Sequence, residues 1–194
     1  MVKILEYQTE HFADLTSYTL PEEQAMFSRI PAEVLNNPRI DDETDRFYYT
    51  IMYNDKAVGF FLLEFAHDRW YKPQDETAAL LRSLTLNPEF QGKGIAKEMM
   101  IQLPDLVRKQ FPDVKEIAFG VNFKNISAYQ MYLKAGYQDS GKSFDGLKVH
   151  SILWLKNCNF NVLFYYIYPE MPNNSKKFEF CFLNNVVNSF KNKP

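Results

Sequence analysis

Leu80-Leu81-Arg82-Ser83-Leu84-Thr85-Leu86, followed by Gln91-Gly92-Lys93-Gly94-Ile95-Ala96, decides how this chain is read. The first segment has the apolar, strand-like composition of a buried β-strand, extending back to Thr77. Two glycines then free the backbone to turn tightly and expose successive N–H groups. Lys97-Glu98-Met99-Met100-Ile101 are good helix formers. A strand that feeds a glycine turn opening a helix makes an anion site, because unpaired N–H groups and the positive helix end point the same way. The ligand this predicts is a phosphate or pyrophosphate.

Spacing separates three kinds of phosphate loop. The P-loop pattern G-x-x-x-x-G-K-[S/T] is not supplied. The dinucleotide fingerprint G-x-G-x-x-G fits Gly92 and Gly94 but meets Lys97 where a small residue must let helix pack on strand. A third pattern, [R/Q]-x-x-G-x-[G/A], is filled by Gln91, Gly94 and Ala96. Downstream stands Asn122-Phe123-Lys124-Asn125-Ile126-Ser127-Ala128-Tyr129-Gln130-Met131-Tyr132-Leu133-Lys134-Ala135-Gly136-Tyr137. Asn125 suits an N-cap and Gly136 a helix-ending C′ position. Asn125 and Tyr132 are seven apart, on one helix face and about 10 Å apart along its axis.

The two motifs, in this order, resemble the GNAT superfamily of N-acetyltransferases, which use acetyl-coenzyme A. The resemblance covers residues 1–156 and implies an α/β fold with a central mixed, splayed sheet flanked by helices. It implies that the coenzyme A pyrophosphate sits on the turn formed by Gln91, Gly92, Lys93, Gly94, Ile95, Ala96 and Lys97. The strands ending near Leu86 and starting near Ile117 should splay apart. The pantetheine arm should enter that gap, bonding to the backbone of Leu84, Thr85 and Leu86 and touching Asn125. Tyr132 should stand by the sulfur and protonate the leaving thiolate; its alternative role is a packed aromatic. Lys93 and Lys97 either assist the phosphates or are solvated, as lysines on a helix's first turn usually are.

Composition narrows the class. At 194 residues and 46% apolar content, one packed domain is expected. A net charge of −2 gives no basic footprint for nucleic acid. No apolar run approaches the ~18 residues of a membrane span, and Met1 to Glu6 lacks the apolar core of a signal peptide, so a cytoplasmic protein is expected. Cys158 and Cys181 make no C-x-x-C, and His11, His67 and His150 are scattered, so no metal site is implied.

The elements follow in order. Val2–Tyr7 reads as a strand; Thr9 or Asp14 starts a short helix, and Pro21-Glu22-Glu23 opens another that ends at Asn36-Asn37-Pro38. Phe47–Tyr53 and Ala57–Phe65 form a hairpin. Gly94–Gln110 is helical, with a kink or a break expected at Pro104. Val114–Asn122 is a strand with Ile117, Phe119 and Val121 on one face and small Ala118 and Gly120 on the other. After the Asn125 helix, Tyr137–Ser143 and Leu147–Leu155 flank the turn signal Asp145-Gly146.

Acyl transfer to an amine needs a neutral nucleophile, yet an alkyl ammonium with pKa about 10.4 is less than ~0.1% neutral at pH 7. The strand before the glycine turn carries no carboxylate that could serve as base. Its one charge is Arg82, expected by simple alternation on the face of Leu84 and Leu86. Glu64, Glu76 and His67 are the nearest alternatives, each more often structural, and a water relay is equally compatible. The base stays unassigned. The acceptor expected is a small primary amine of the polyamine, aminoglycoside or amino-acid-like kind. Alternatives are a protein N-terminus or lysine, or a catalytically silent coenzyme A-binding module. Glu22, Glu23, Glu33 and Asp41-Asp42-Glu43-Thr44-Asp45 either steer a cationic amine or form a solvated face. Residues 157–194 differ from the rest: nine of fifteen Asn, both Cys, nine Phe or Tyr and no Gly. They read as an accreted tail, or as an extension whose Phe160–Tyr168 covers a sheet edge or a homodimer partner.

Overall fold

Two residues at positive φ, Asn54 (49°) and Asp55 (63°), fold the aromatic segments on either side of them into a two-residue hairpin. The strands are β2 (Arg46–Tyr53) and β3 (Lys56–Glu64), and β1 (Val2–Glu6) adds antiparallel to β2. The computed structural model describes residues 1–36, 46–65, 78–145, 150–157 and 164–165. Its remaining elements are α1 (Phe12–Thr16), α2 (Glu22–Ala25), α3 (Pro31–Asn36), β4 (Ala78–Leu86), α4 (Ile95–Gln110), β5 (Glu116–Asn122), α5 (Ile126–Lys134), β6 (Asp139–Asp145), β7 (His150–Asn157) and β8 (Phe164–Tyr165). The single helix expected from Pro21 to Asn36 is instead two short ones, because Pro31 opens a new first turn. Asp41 to Asp45, His67, Glu76, the residues after Asp145 in the expected turn, and most of the tail lie outside the described residues.

The sheet runs β1-β2-β3-β4-β5-β7-β6, with β8 against β7. Neighbours are antiparallel except β4 and β5, which run parallel, so the sheet is mixed as expected. Both faces are covered. On one side Phe61, Leu63, Leu81 and Ile117 pack with Met99, Leu103 and Val107 of α4 and Tyr132 of α5. On the other, Phe60 and Leu62 pack with Leu15 of α1 and Val34 of α3. This double burial is why β3 reads as a continuous apolar run rather than an alternating one.

β4 carries a bulge that alternation could not foresee. Phe60 pairs with Thr85 and Leu62 with Arg82, so three steps on β4 oppose two on β3. Ser83 takes up the extra residue at φ 53°, a conformation that costs a non-glycine residue energy. The inserted residue inverts the side-chain phase. Ala79, Leu81 and, beyond the bulge, Leu84 and Leu86 all face the α4 cluster. Arg82 points to the α1–α3 side, where it meets Glu64. The expected shared face of Arg82 with Leu84 and Leu86 is thereby overturned.

Pro104 does not break α4, which runs sixteen residues through it with the proline buried. Proline withdraws the N–H that Met100 O would accept four residues back. The structure supplies another donor: the Tyr137 hydroxyl, 2.8 Å from Met100 O. Tyr137 is held there by the end of α5. Gly136, at φ 89°, sends its N–H to Leu133 O, and Tyr137 sends its own to Tyr132 O. This paired closure by a left-handed glycine is the Schellman motif.

The compensation can be measured. Tyr137→Phe leaves a buried carbonyl without a donor and is expected to cost about 1–3 kcal/mol in urea unfolding. In a Pro104→Ala background the helix regains its own N–H, and the cost of Tyr137→Phe should fall below about 1 kcal/mol. Equal costs in both backgrounds would show that the hydroxyl is not replacing the missing donor.

Candidate active site

The turn after β4 has the geometry its glycines require. Gly92 (φ 72°) and Gly94 (φ 78°) are both left-handed, and a Cβ at either would meet nothing within 4 Å. They are needed for conformation rather than for room. Gly94 is the N-cap of α4, and the first intrahelical bond runs from Glu98 N to Gly94 O at 2.9 Å. The amides of Ile95, Ala96 and Lys97 therefore have no carbonyl within the helix, and they sit at its positive end. The Ile95 side chain is buried in the core, so only its backbone can serve a ligand. Lys93 lies over the Phe90 ring at 4.8 Å, which places one cation beside the turn.

Gln91 has a different part. Its Nε2 donates to Leu86 O at 3.1 Å and to Gln24 Oε1 at 2.9 Å, while its Oε1 accepts from Gln24 Nε2 at 3.1 Å. Its backbone N–H goes to Pro88 O. Every one of these donors works inside the protein, so Gln91 clamps the turn to the end of β4 and to α2.

β4 and β5 pair only through Ala78–Glu116, Ala79–Ile117 and Leu80–Ala118. Beyond those residues they diverge, as the splay predicted, and β4 from Leu81 to Leu86 has no strand partner on its β5 side. The backbone at Leu84 and Leu86 thus lines a gap that leads to the glycine turn, whereas Thr85, expected to bond there too, turns its carbonyl toward β3. β3 presses on this edge from behind: a Cβ on Gly59 would fall 2.6 Å from Thr85 O and from a Leu86 methyl. Alanine has no space there. Nothing in the sequence alone distinguished Gly59, because the close approach is made by residues more than twenty positions away.

Across the gap, α5 starts and stops where expected. Asn125 Oδ1 caps it by accepting from Ala128 N at 3.2 Å, leaving the amide nitrogen as the end it can offer a ligand. Tyr132 lies on the same helix face, buried, with its ring 4.6 Å from that of Phe119. Burial pushes its phenol far above the ordinary tyrosine value, so it holds its proton throughout the neutral range. Tyr132 is therefore a packed aromatic that keeps its O–H at neutral pH.

The opposite face of β4 holds a small polar cavity lined in part by Arg29, Arg46, Tyr48, Glu64, Arg82 and Ser83. Glu64 is buried and shared: Arg46 reaches Oε1 and Arg82 reaches Oε2, each at 2.6 Å. Burial alone would raise its pKa, but the two guanidinium groups outweigh that and hold it below the usual carboxylate range. A carboxylate kept ionised in this way is a poor base, so Glu64 serves as a brace between β2, β3 and β4. Nearby, the Tyr18 hydroxyl lies 3.3 Å from Thr85 Oγ1. Burial, partly offset by that hydrogen bond, pushes Tyr18 up to about 12. Among the described residues no group of His, Cys, Asp and Glu gathers as a metal would need, and no helix is long and apolar enough to cross a membrane.

The family model for the acetyltransferase (GNAT) family matches residues 11–137, which span α1, the bulged strand, the glycine turn and α5. The chain belongs to this family. It is an N-acetyltransferase, with acetyl-coenzyme A as acetyl donor. Uncharacterized N-acetyltransferase YbbJ of Bacillus subtilis (strain 168) is 36% identical over 137 residues, 70% of this chain and 84% of that protein. The fold is also similar to aminoglycoside acetyltransferase AAC(6')-Ib in complex with coenzyme A, at TM-score 0.68 and 17% identity over 81% of this chain and 95% of that one. Spermidine N-acetyltransferase from Vibrio cholerae, in complex with coenzyme A and spermine, has TM-score 0.53 and 17% identity over 80% and 95%. Identities this low establish the shared fold and no more.

The donor fits what the chain presents: outward amides at a left-handed glycine turn, and an unpaired strand edge leading away from it. The buried tyrosines give the enzyme a pH signature. Tyr18, Tyr49 and Tyr132 are all raised, chiefly by burial, so above about pH 10 the unfolded chain releases protons that the folded one keeps. Stability is therefore fully present below about pH 10 and should decline as pH rises beyond it. The decline should be shallower in Tyr132→Phe. Urea midpoints measured from pH 8 to 11 test this, and a midpoint flat to pH 11 would refute it.

Proposed function

We propose that this enzyme acetylates a small primary amine. In this reading the pyrophosphate of the donor rests on the amides from Gly92 to Lys97. The pantetheine arm lies along Leu84, Thr85 and Leu86, and Asn125 contacts it. The amine attacks the thioester carbonyl carbon, the carbon–sulfur bond breaks, and the leaving sulfur takes its proton from the Tyr132 hydroxyl. The nitrogen's surplus proton passes to water, and the Tyr132 phenolate regains a proton from solvent before the next turnover. The observation that carries the reading is the divergence of β4 from β5 beside the glycine turn, with Tyr132 on the helix that follows β5.

The small acceptor is supported by the fold's likeness to enzymes named for aminoglycosides and spermidine. Polyamines, aminoglycosides and amino-acid-like amines are the classes to try. Thiol release from acetyl-coenzyme A should be measured with spermidine, kanamycin, free amino acids and a lysine-containing peptide. Release with a small amine and not with the peptide is the expected result; tight donor binding without release on any amine would favour a silent binding module.

Two variants test the parts. Gly94→Pro removes an N–H and cannot adopt φ 78°, so donor affinity should fall by well over the ~1 kcal/mol of one hydrogen bond. Unchanged affinity in a folded variant rules the turn out. Tyr132→Phe keeps the ring against Phe119 and removes the proton, so kcat should fall about 10²- to 10⁴-fold with little change in KM for the donor. A kcat within about twofold of the parent would leave Tyr132 a packing residue.

A further inference from the structure

The brace around Glu64 holds more positive charge than its carboxylate can answer. Among the described residues that line the cavity there, Arg29, Arg46 and Arg82 are cations and Glu64 alone is an acid. Both oxygens of Glu64 are taken, Oε1 by two nitrogens of Arg46 and Oε2 by Arg82. The Glu64 and Arg46 side chains are nearly closed off from water, at 6% and 10% exposure. The other two guanidinium groups reach solvent, Arg82 at 49% and Arg29 at 48%.

Arg82 is held but not used up. It gives Nη1 to Glu64 at 2.6 Å, and among the described residues Nε and Nη2 have no partner. Its anchor is itself fixed by Arg46, so the guanidinium stands ready without having to order a free side chain. An edge with two parallel N–H groups matches a carboxylate in a way that a lysine does not. Arg29 stands between α2 and α3, steadied by Glu33, whose backbone O accepts from Nη2 at 2.9 Å and whose carboxylate lies 3.9 Å from Nε. An ion pair that long and that exposed neutralises little.

The bulge sets where this charge lies relative to the reaction. Ser83 also lines the cavity, and Leu84 follows it on the strand. With the pyrophosphate on the glycine turn and the arm running back past Leu86 and Leu84, the acyl end of the donor comes nearest Ser83. We infer that the acceptor amine carries a carboxylate, and that Arg82 and Arg29 bind it. The inference rests on the amine reading above and narrows it to amino-acid-like acceptors. Spermidine and kanamycin carry several ammonium groups, which the same pair of guanidinium groups repels.

Thiol release is followed with free amino acids, with their carboxamides and with spermidine, and kcat/KM is compared within each acid–amide pair. The acid should be preferred over its amide by about 10- to 100-fold. In Arg29→Gln, which leaves the Glu64 brace intact, that ratio should fall by at least about 3-fold, chiefly through KM for the acid. Arg82→Gln should lower it further, and Arg82→Lys, which keeps the charge without the fork, should restore part of it. Arg82→Gln also takes a donor from Glu64, so melting curves accompany each variant, and Arg29→Gln decides the matter if Arg82→Gln does not fold. An amide used as well as its acid, spermidine preferred to both, or an unaltered ratio in folded Arg29→Gln overturns the proposal. If the parent releases thiol with no amine, the amine reading itself falls. Calorimetry with N-acetyl amino acids in the presence of coenzyme A then tests the carboxylate site alone: weaker binding in Arg29→Gln supports it, and no binding to the parent overturns it.

Discussion

The extra residue at Ser83 is the constraint around which the rest of the site is arranged. One inserted residue in a strand turns every later side chain to the other face. Here it lets β4 send Arg82 to one side of the sheet and Leu84 and Leu86 to the other. Without it, a charged side chain would have to enter the α4 cluster or an apolar one would have to line the polar cavity. The bulge also marks the level at which β4 leaves β5, since the parallel pairing stops at Leu80. A left-handed serine, an ion triad around a buried carboxylate and an open strand edge are three aspects of a single irregularity.

That irregularity explains why the ion triad belongs there. Arg82 cannot pair locally along β4, and Glu64 on β3 is close enough only because the register has slipped. Arg46 on β2 completes it from the far side. Buried charges are tolerated when each carboxylate oxygen has its own donor, and here each does. The brace holds three strands in register on the side where packing has been interrupted.

Most of the fold could be read from the chain because its signals are local. The glycine turn, the Asn125 cap and the Gly136 stop each depend on residues a few positions apart, and each falls where the sequence places it. What could not be read depends on partners distant in sequence. Gly59 is needed because Thr85 O passes close to it. Pro104 fits inside a helix because Tyr137 replaces its donor. Arg82 changes face because β3 and β4 differ by one residue. Gln91 shows the same limit. The pattern marks Gln91 as part of a ligand motif, but its side chain is spent on Leu86 and Gln24.

The Tyr137–Met100 contact has a consequence for how the molecule breathes. Tyr137 is at once the residue that closes the end of α5 and the donor that repairs the middle of α4. Local opening of α5's last turn would therefore strip α4 of a hydrogen bond at its proline, and unwinding α4 there would release the closure of α5. Elements joined in this way tend to open as one cooperative unit. Amide exchange around Met100 of α4 and in the helix bearing Tyr132 would then share one protection level, although the two segments are about thirty residues apart along the chain.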